Sequence, residues 1–215
     1  MAKLVQKSGY IKSGKASGYM RYIATREGVE KLAGNGAVTK GQRELIQKLL
    51  TDFPDAVELF EYEDYCKTPT LGTASAFISM ALDANLHEID SESGYMQYIA
   101  TRPRVQKRGT HGLFSSATAV DLASAMSELE AHEGNVWTII YSLRREDAAR
   151  LEYDNADAWR TLLMENAPAL AKSMKISLDN FHWYAAFHNE GHHPHIHMMV
   201  WSDDPKEGFL TKDGI

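Results

Sequence analysis

Six of the nine histidines crowd between Phe181 and Trp201: His182, His188, His192, His193, His195 and His197. Imidazole is the commonest metal ligand and the side chain that titrates nearest neutrality, so the spacing decides what such a cluster can do. His195-Ile196-His197 is an H-x-H pair. Side chains alternate faces along a strand, which puts His195 and His197 on one face and Ile196 on the other. His188 ends the preceding apolar and aromatic run, Phe181–His188. With 189–194 as the hairpin connection, His188 lies across from His195 and points the same way. Three imidazoles converging on one patch of sheet suit a divalent metal that keeps open positions. No cysteine is near enough to complete a closed structural zinc site, which is the plainer alternative, along with simple polar decoration of a hairpin. Glu190 is a candidate fourth or outer ligand. His192 and His193 are candidates for contacts to phosphate or to the ligands themselves.

A second chemical feature is a duplication. Ser17-Gly18-Tyr19-Met20-Arg21-Tyr22-Ile23-Ala24-Thr25-Arg26 recurs as Ser93-Gly94-Tyr95-Met96-Gln97-Tyr98-Ile99-Ala100-Thr101-Arg102, and only Arg21/Gln97 differs. Two copies do not make a solenoid. They read either as one structural element used at two similar points of a fold, or as two equivalent tyrosine-bearing segments. Tyr22 and Tyr98 each have a companion three residues earlier, Tyr19 and Tyr95, and such pairs share a face of a helix.

The elements that must position these groups follow from periodicity. Lys3–Ile11 reads as a first strand and Val136–Leu143 as a strand buried on both faces. Phe181–His188 and His195–Trp201 form the hairpin, and Pro194 suits the start of a strand, where no ladder hydrogen bond is lost. Thr39-Lys40-Gly41-Gln42 has the form of a capping box, and Leu45, Ile46, Leu49 and Leu50 make one stripe of the helix it opens. Thr73–Asn85 reads as an amphipathic helix, Ala119–His132 as another, and Asn155–Lys175 as a long one bent or split by Pro168. Arg102-Pro103-Arg104 breaks structure, and Val105–Phe114 is loop or strand. Trp137, Trp159 and Trp183 are expected in the core, and Glu63 and Asp64 on a solvated face. Strands paired by a hairpin with helices between them give an α+β fold with an antiparallel sheet. No linker divides the chain, so 1–215 is expected to be a single domain.

Composition bounds the function. The chain has 215 residues, 44% hydrophobic and 24% charged, an ordinary globular balance. No apolar run approaches the ~20 residues of a membrane span, and the start of the chain has no apolar signal core. Cys66 is the only cysteine, which excludes an internal disulfide and suggests a cytoplasmic setting. The net charge of −6 argues against nucleic acid, but its distribution does not. Lys3, Lys7, Lys12, Lys15, Arg21, Arg26, Lys31, Lys40, Arg43 and Lys48 face only Glu27, Glu30 and Glu44 up to Leu50, and Arg102, Arg104, Lys107 and Arg108 form a second basic cluster. Local fields, not the sum, attract a phosphate backbone.

The stretch Phe187-His188-Asn189-Glu190-Gly191-His192-His193-Pro194-His195-Ile196-His197 resembles the metal-binding motif of HUH-type relaxases, the DNA strand transferases of conjugative and mobilizable elements. Tyr22-Ile23-Ala24-Thr25 resembles the segment around their nucleophilic tyrosine. The wording of Thr110-His111-Gly112-Leu113-Phe114 and Trp183-Tyr184-Ala185-Ala186-Phe187-His188 is similar to the MobL/MobP branch of Gram-positive mobile elements. The likeness runs from roughly Tyr10 to the end. It implies a ferredoxin-like or palm-like fold, with a central antiparallel sheet carrying the H-x-H pair and helices on one face. It implies nicking and rejoining of single-stranded DNA at a transfer origin through a 5′-phosphotyrosyl link, with Mn2+ or Mg2+, or alternatively Zn2+, as cofactor. The family's nucleophile lies just after the first strand, which favours Tyr22, with Tyr98 and Tyr19 or Tyr95 as alternatives. Arg26, Arg102, Arg104, Lys107, Arg108 and His193 are the implied DNA contacts. The implied partners are accessory mobilization proteins and a coupling protein. The resemblance also implies that 1–215 is the N-terminal catalytic part of a longer protein. Competing readings are an HUH replication initiator or transposase, an H-x-H metal hydrolase of a small substrate, and a DNA-binding accessory protein that does no catalysis.

Overall fold

A computed structural model of the chain describes residues 3–10, 36–85, 92–101, 105–117, 119–189 and 193–210. Its elements in chain order are β1 (Leu4–Tyr10), α1 (Lys40–Asp52), a short 3₁₀ turn (Pro54–Glu58), α2 (Phe60–Lys67), α3 (Leu71–Asn85), α4 (Glu92–Thr101), β2 (Leu113–Phe114), α5 (Leu122–Glu130), β3 (Trp137–Leu143), α6 (Arg145–Arg150), α7 (Ala156–Ser173), a 3₁₀ turn (Leu178–Asn180), β4 (Phe181–His188) and β5 (His195–Ser202). They fall into two compact units. One comprises Met1–Ile11 with Ser91–Ile215, the other Lys12–Asp90.

The first unit holds the sheet, in strand order β1-β3-β5-β4-β2 and antiparallel at every pairing. The α+β class and antiparallel sheet match the expectation. β5 is the middle strand and is buried along its whole length, because β3 and β4 flank it and both faces are covered. On one face Ile196, Met198 and Val200 of β5 join Trp183, Ala185 and Phe187 of β4 and Trp137, Ile139 and Leu143 of β3 in a core closed by Trp159 and Leu163 of α7. The three tryptophans expected in the core are 1–5% exposed. Two of them satisfy their indole N–H there, Trp137 donating to Gly208 O and Trp159 to Tyr153 O, each at 2.8 Å. Helices meet the other face too, beyond the single expected layer: α4 reaches it at His197 and α5 at Tyr184.

In α7, Asn155 caps the start by accepting from Ala158 N, and the helix runs unbroken past Pro168, neither split nor ended by it. Pro168 lies on the exposed side, where water can serve the carbonyl whose helical partner the ring removes.

In the second unit the capping box of α1 is complete. Thr39 Oγ1 accepts from Gln42 N at 3.1 Å, and Gln42 Oε1 accepts from Thr39 N at 3.0 Å. Gln42 also donates to Leu71 O and Ser75 Oγ, which ties α1 to α3. α3 is not the amphipathic helix its sequence suggests. Its residues from Ala74 on are buried nearly all round, down to Asp83 and Asn85. Glu63 and Asp64, expected on a solvated face, are half-buried on α2, where Glu63 pairs with Lys67 one turn on.

Candidate metal centre

The β4–β5 ladder fixes the site. His188 pairs directly with His195, and His197 pairs with Ala186 of β4 and Ile140 of β3. Alternation therefore sets His188, His195 and His197 on the sheet face opposite the α7 core. The small Ala186 side chain across from His197 leaves room for the rings to turn toward one another. They are 0%, 1% and 0% exposed. Ring centroids lie 5.2 Å apart for His188–His195, 4.7 Å for His188–His197 and 5.1 Å for His195–His197. One nitrogen from each ring falls within 4.8 Å of the other two. Nitrogens on one tetrahedral ion at ~2.1 Å stand ~3.4 Å apart, so small ring rotations complete the cage.

Each imidazole is also held from behind. His188 Nε2 donates to Ile99 O at 2.8 Å, and His195 Nδ1 donates to His193 O at 2.9 Å. A carbonyl only accepts, so these contacts put the proton on the outer nitrogen and leave a lone pair on His188 Nδ1 and His195 Nε2. That is the tautomer a metal ligand needs, and such outer contacts are the usual companions of ligating histidines. His197 Nδ1 lies 3.0 Å from Tyr95 Oη. Three imidazole nitrogens within 4.8 Å of one another fit a divalent cation, whose charge neutral rings leave undiminished.

The approaches to this pocket are pinned as well. Leu143 N donates to Pro194 O, and Arg145 Nη2 to Asn189 Oδ1 at 2.7 Å, which anchors both ends of the hairpin to the β3–α6 junction. Val105 bridges His188 on the outer side, and Gln106 N donates to Phe187 O. Ser142 pairs with His195 across β3 and shares its face, with its hydroxyl buried.

Farther along the same face His182, Tyr184 and Trp201 stack, with ring centroids 5.7 Å (His182–Trp201) and 5.5 Å (Tyr184–Trp201) apart. A groove there is lined by Glu128, His132, Glu133, His182, Trp201 and Asp203. Burial and the Glu128 carboxylate, which accepts from the phenol at 2.9 Å, push the Tyr184 hydroxyl up to about 12. Burial also lowers His132 below the ordinary imidazole value.

The three histidines expected to ligate are thus brought together. His193 is 4% exposed, and its backbone carbonyl accepts from His195 Nδ1. Tyr98 sits half-buried on α4. Lys107 is exposed, two residues from the bridge beside His188; Arg108 forms an ion pair with Asp157 at the start of α7. Tyr19, Tyr22, Arg26, Arg102, Arg104 and Glu190 lie outside the described residues. Tyr95 and the Ile99 carbonyl are the contributors that spacing alone does not single out.

Among known proteins, the family model of the MobL relaxases matches residues 1–215, the whole chain. No curated protein and no solved structure matches it.

Proposed function

Since the chain belongs to the MobL relaxases, DNA-nicking enzymes of mobilization, we propose that it cuts and rejoins one strand at a transfer origin through a covalent tyrosine link, with His188, His195 and His197 holding a divalent ion. The observation that carries this reading is the buried triad on the middle strands, its nitrogens within 4.8 Å of one another. A bound ion would supply positive charge to the non-bridging oxygens of the scissile phosphate as charge grows there. The histidines orient that charge and stay neutral. A tyrosine oxygen, Tyr22 first and Tyr98 or Tyr19 otherwise, attacks phosphorus and gives up its proton. The bond to the 3′ oxygen breaks, and the 5′ phosphate stays on the tyrosine. The ester keeps the energy of the broken bond, so the 3′ hydroxyl can attack in return and restore the strand.

Lys107 and the other cations of the Arg102–Arg108 segment, with Arg26, are the groups this reading assigns to the DNA backbone. Mn2+ or Mg2+ is the ion the relaxase resemblance carries, and zinc, which three imidazole donors suit better, is the alternative. The reading includes accessory mobilization proteins and a coupling protein as partners and a cytoplasmic site of action. Among the described residues no helix is long and apolar enough to cross a membrane.

The test is a single-stranded transfer-origin oligonucleotide incubated with the full chain and Mn2+. A covalent complex is expected on a denaturing gel, with none after chelation and none from Tyr22→Phe. Peptide mapping of the adduct names the nucleophile; Tyr98 in its place would move the role without changing the reaction. Intact strands at every metal concentration would defeat the proposal. His195→Ala and His197→Ala are each expected to weaken Mn2+ binding by on the order of 100-fold, more than removal of an outer contact does.

A further inference from the structure

We infer that the second copy of the duplicated decapeptide is the positioning layer of the metal site, and that Tyr95, as the acceptor behind His197 Nδ1, holds that ring in the tautomer ligation needs. The inference rests on the metal-site reading above. Tyr95 and Ile99 stand four residues apart on α4 and so share a face, and each meets a different histidine of the triad. Tyr95 is 0% exposed, with its hydroxyl 3.0 Å from His197 Nδ1 and its ring set edge-on to the imidazole at 74°. Ile99 O accepts from His188 Nε2 at 2.8 Å.

The helix can spare that carbonyl for a chemical reason. In a continuing helix Ile99 O would accept from the N–H of residue 103, and residue 103 is proline, which has none. The next carbonyl, Ala100 O, accepts from Gly112 N at 2.8 Å. The C-terminal end of α4 carries partial negative charge, and beside His188 it strengthens that ring as a donor to a cation.

The role of Tyr95 follows from a difference among the three outer contacts. Carbonyls of Ile99 and His193 can only accept, so they leave one tautomer for His188 and His195. A phenol can donate or accept. If Tyr95 donated to His197 Nδ1, the ring proton would sit on Nε2, and that nitrogen could not bind a cation. Ligation by His197 therefore requires Nδ1–H donating to Tyr95 Oη. In this arrangement the imidazole stands between the Tyr95 oxygen and Nε2. Tyr95 is thus a positioning residue behind the ligand and no rival to Tyr22 as the attacking group. The two copies of the repeat have separate tasks, and the second supports the triad from the rear.

The experiment measures Mn2+ affinity of the full chain by competition with a chelating indicator, for the parent, Tyr95→Phe, His197→Ala and Tyr153→Phe, the last packed against the α7 core. Tyr95→Phe is expected to bind 10- to 100-fold more weakly, and Tyr153→Phe within twofold of the parent. Long-range 1H–15N spectra of the histidine-labelled parent without metal give a reading that needs no variant to fold, and His197 is expected as the Nδ1–H tautomer. Parent-like affinity of Tyr95→Phe, or an Nε2–H tautomer at His197, would overturn the inference while leaving the metal site standing. A parent that binds no Mn2+, or a His197→Ala that binds as tightly as the parent, would instead overturn the metal reading, and the inference with it.

Discussion

Burying a polar imidazole costs free energy that hydrogen bonds only partly return, and the middle of this sheet holds three, each no more than 1% exposed and each hydrogen-bonded at its outer nitrogen. Apolar side chains at the same positions would pack without that cost, so the histidines make sense as ligands rather than as core. Their convergence was legible in the sequence because the period of a strand is rigid: H-x-H puts two imidazoles on one face, and a six-residue connection brings the third to the same face. The contact of Tyr95 was not, since it spans 102 positions of the chain and depends on which face of α4 meets the sheet. The same face offers a residue-scale test. Tyr184 titrates at about 12 instead of the ordinary 10.0, through burial first and then its bond to Glu128. A raised value means that the folded protein favours the protonated phenol. Its contribution is therefore complete below pH 10 and fades as pH rises from 10 to about 12. Tyr184 is half-buried, so the bond is worth about 1 kcal/mol or less. Denaturant titrations of the parent and Tyr184→Phe should differ by a constant amount below pH 10 and converge by about pH 12. A difference that grows across that range would contradict the assignment.

At the scale of elements, what the sequence revealed was whatever carries its own local chemistry. The capping box at Thr39 and Gln42, the largely apolar run of β3 and the β4–β5 hairpin each declare themselves from residues close together in the chain. α2 and α6 do not: they span eight and six residues, and their N-caps, Leu59 and Arg144, make no side-chain capping bond. α3 misled because its small and apolar residues are buried on nearly every side, which erases the stripe that periodicity depends on. Pro168 misled in the opposite direction. A ring in a helix interior costs about 3 kcal/mol against alanine, yet α7 continues through Pro168 to Ser173, with Trp159, Leu163 and Ala171 buried along it. The helix is thus kept continuous by its packing at a local cost. Pro168→Ala should recover part of it, raising stability by roughly 1–3 kcal/mol and the midpoint by several degrees in thermal unfolding. A lowered midpoint would show instead that the proline ring makes a contact worth more than the missing hydrogen bond.

At the scale of the whole molecule, the division into two units gives the metal site a built-in reporter. All four tryptophans, Trp137, Trp159, Trp183 and Trp201, belong to the unit that contains the triad, and none to Lys12–Asp90. Indole fluorescence therefore follows the sheet and its site, while far-ultraviolet circular dichroism also follows α1, α2 and α3. An ion that binds the folded site and not the unfolded chain stabilises by about 2.7 kcal/mol at a hundredfold excess over its dissociation constant. For a chain of this size that amounts to roughly 5–10 °C. Mn2+ should raise the fluorescence midpoint by that amount in the parent and by almost nothing in His197→Ala. The dichroism signal of the helices in Lys12–Asp90 has no ligand of its own to gain from, so its share of the melt should stay in place and the two probes should separate on adding metal. Probes that remain coincident and move together would mean that the two units unfold as one cooperative body. A fluorescence midpoint indifferent to Mn2+ would mean that the imidazoles of β4 and β5 hold no such ion.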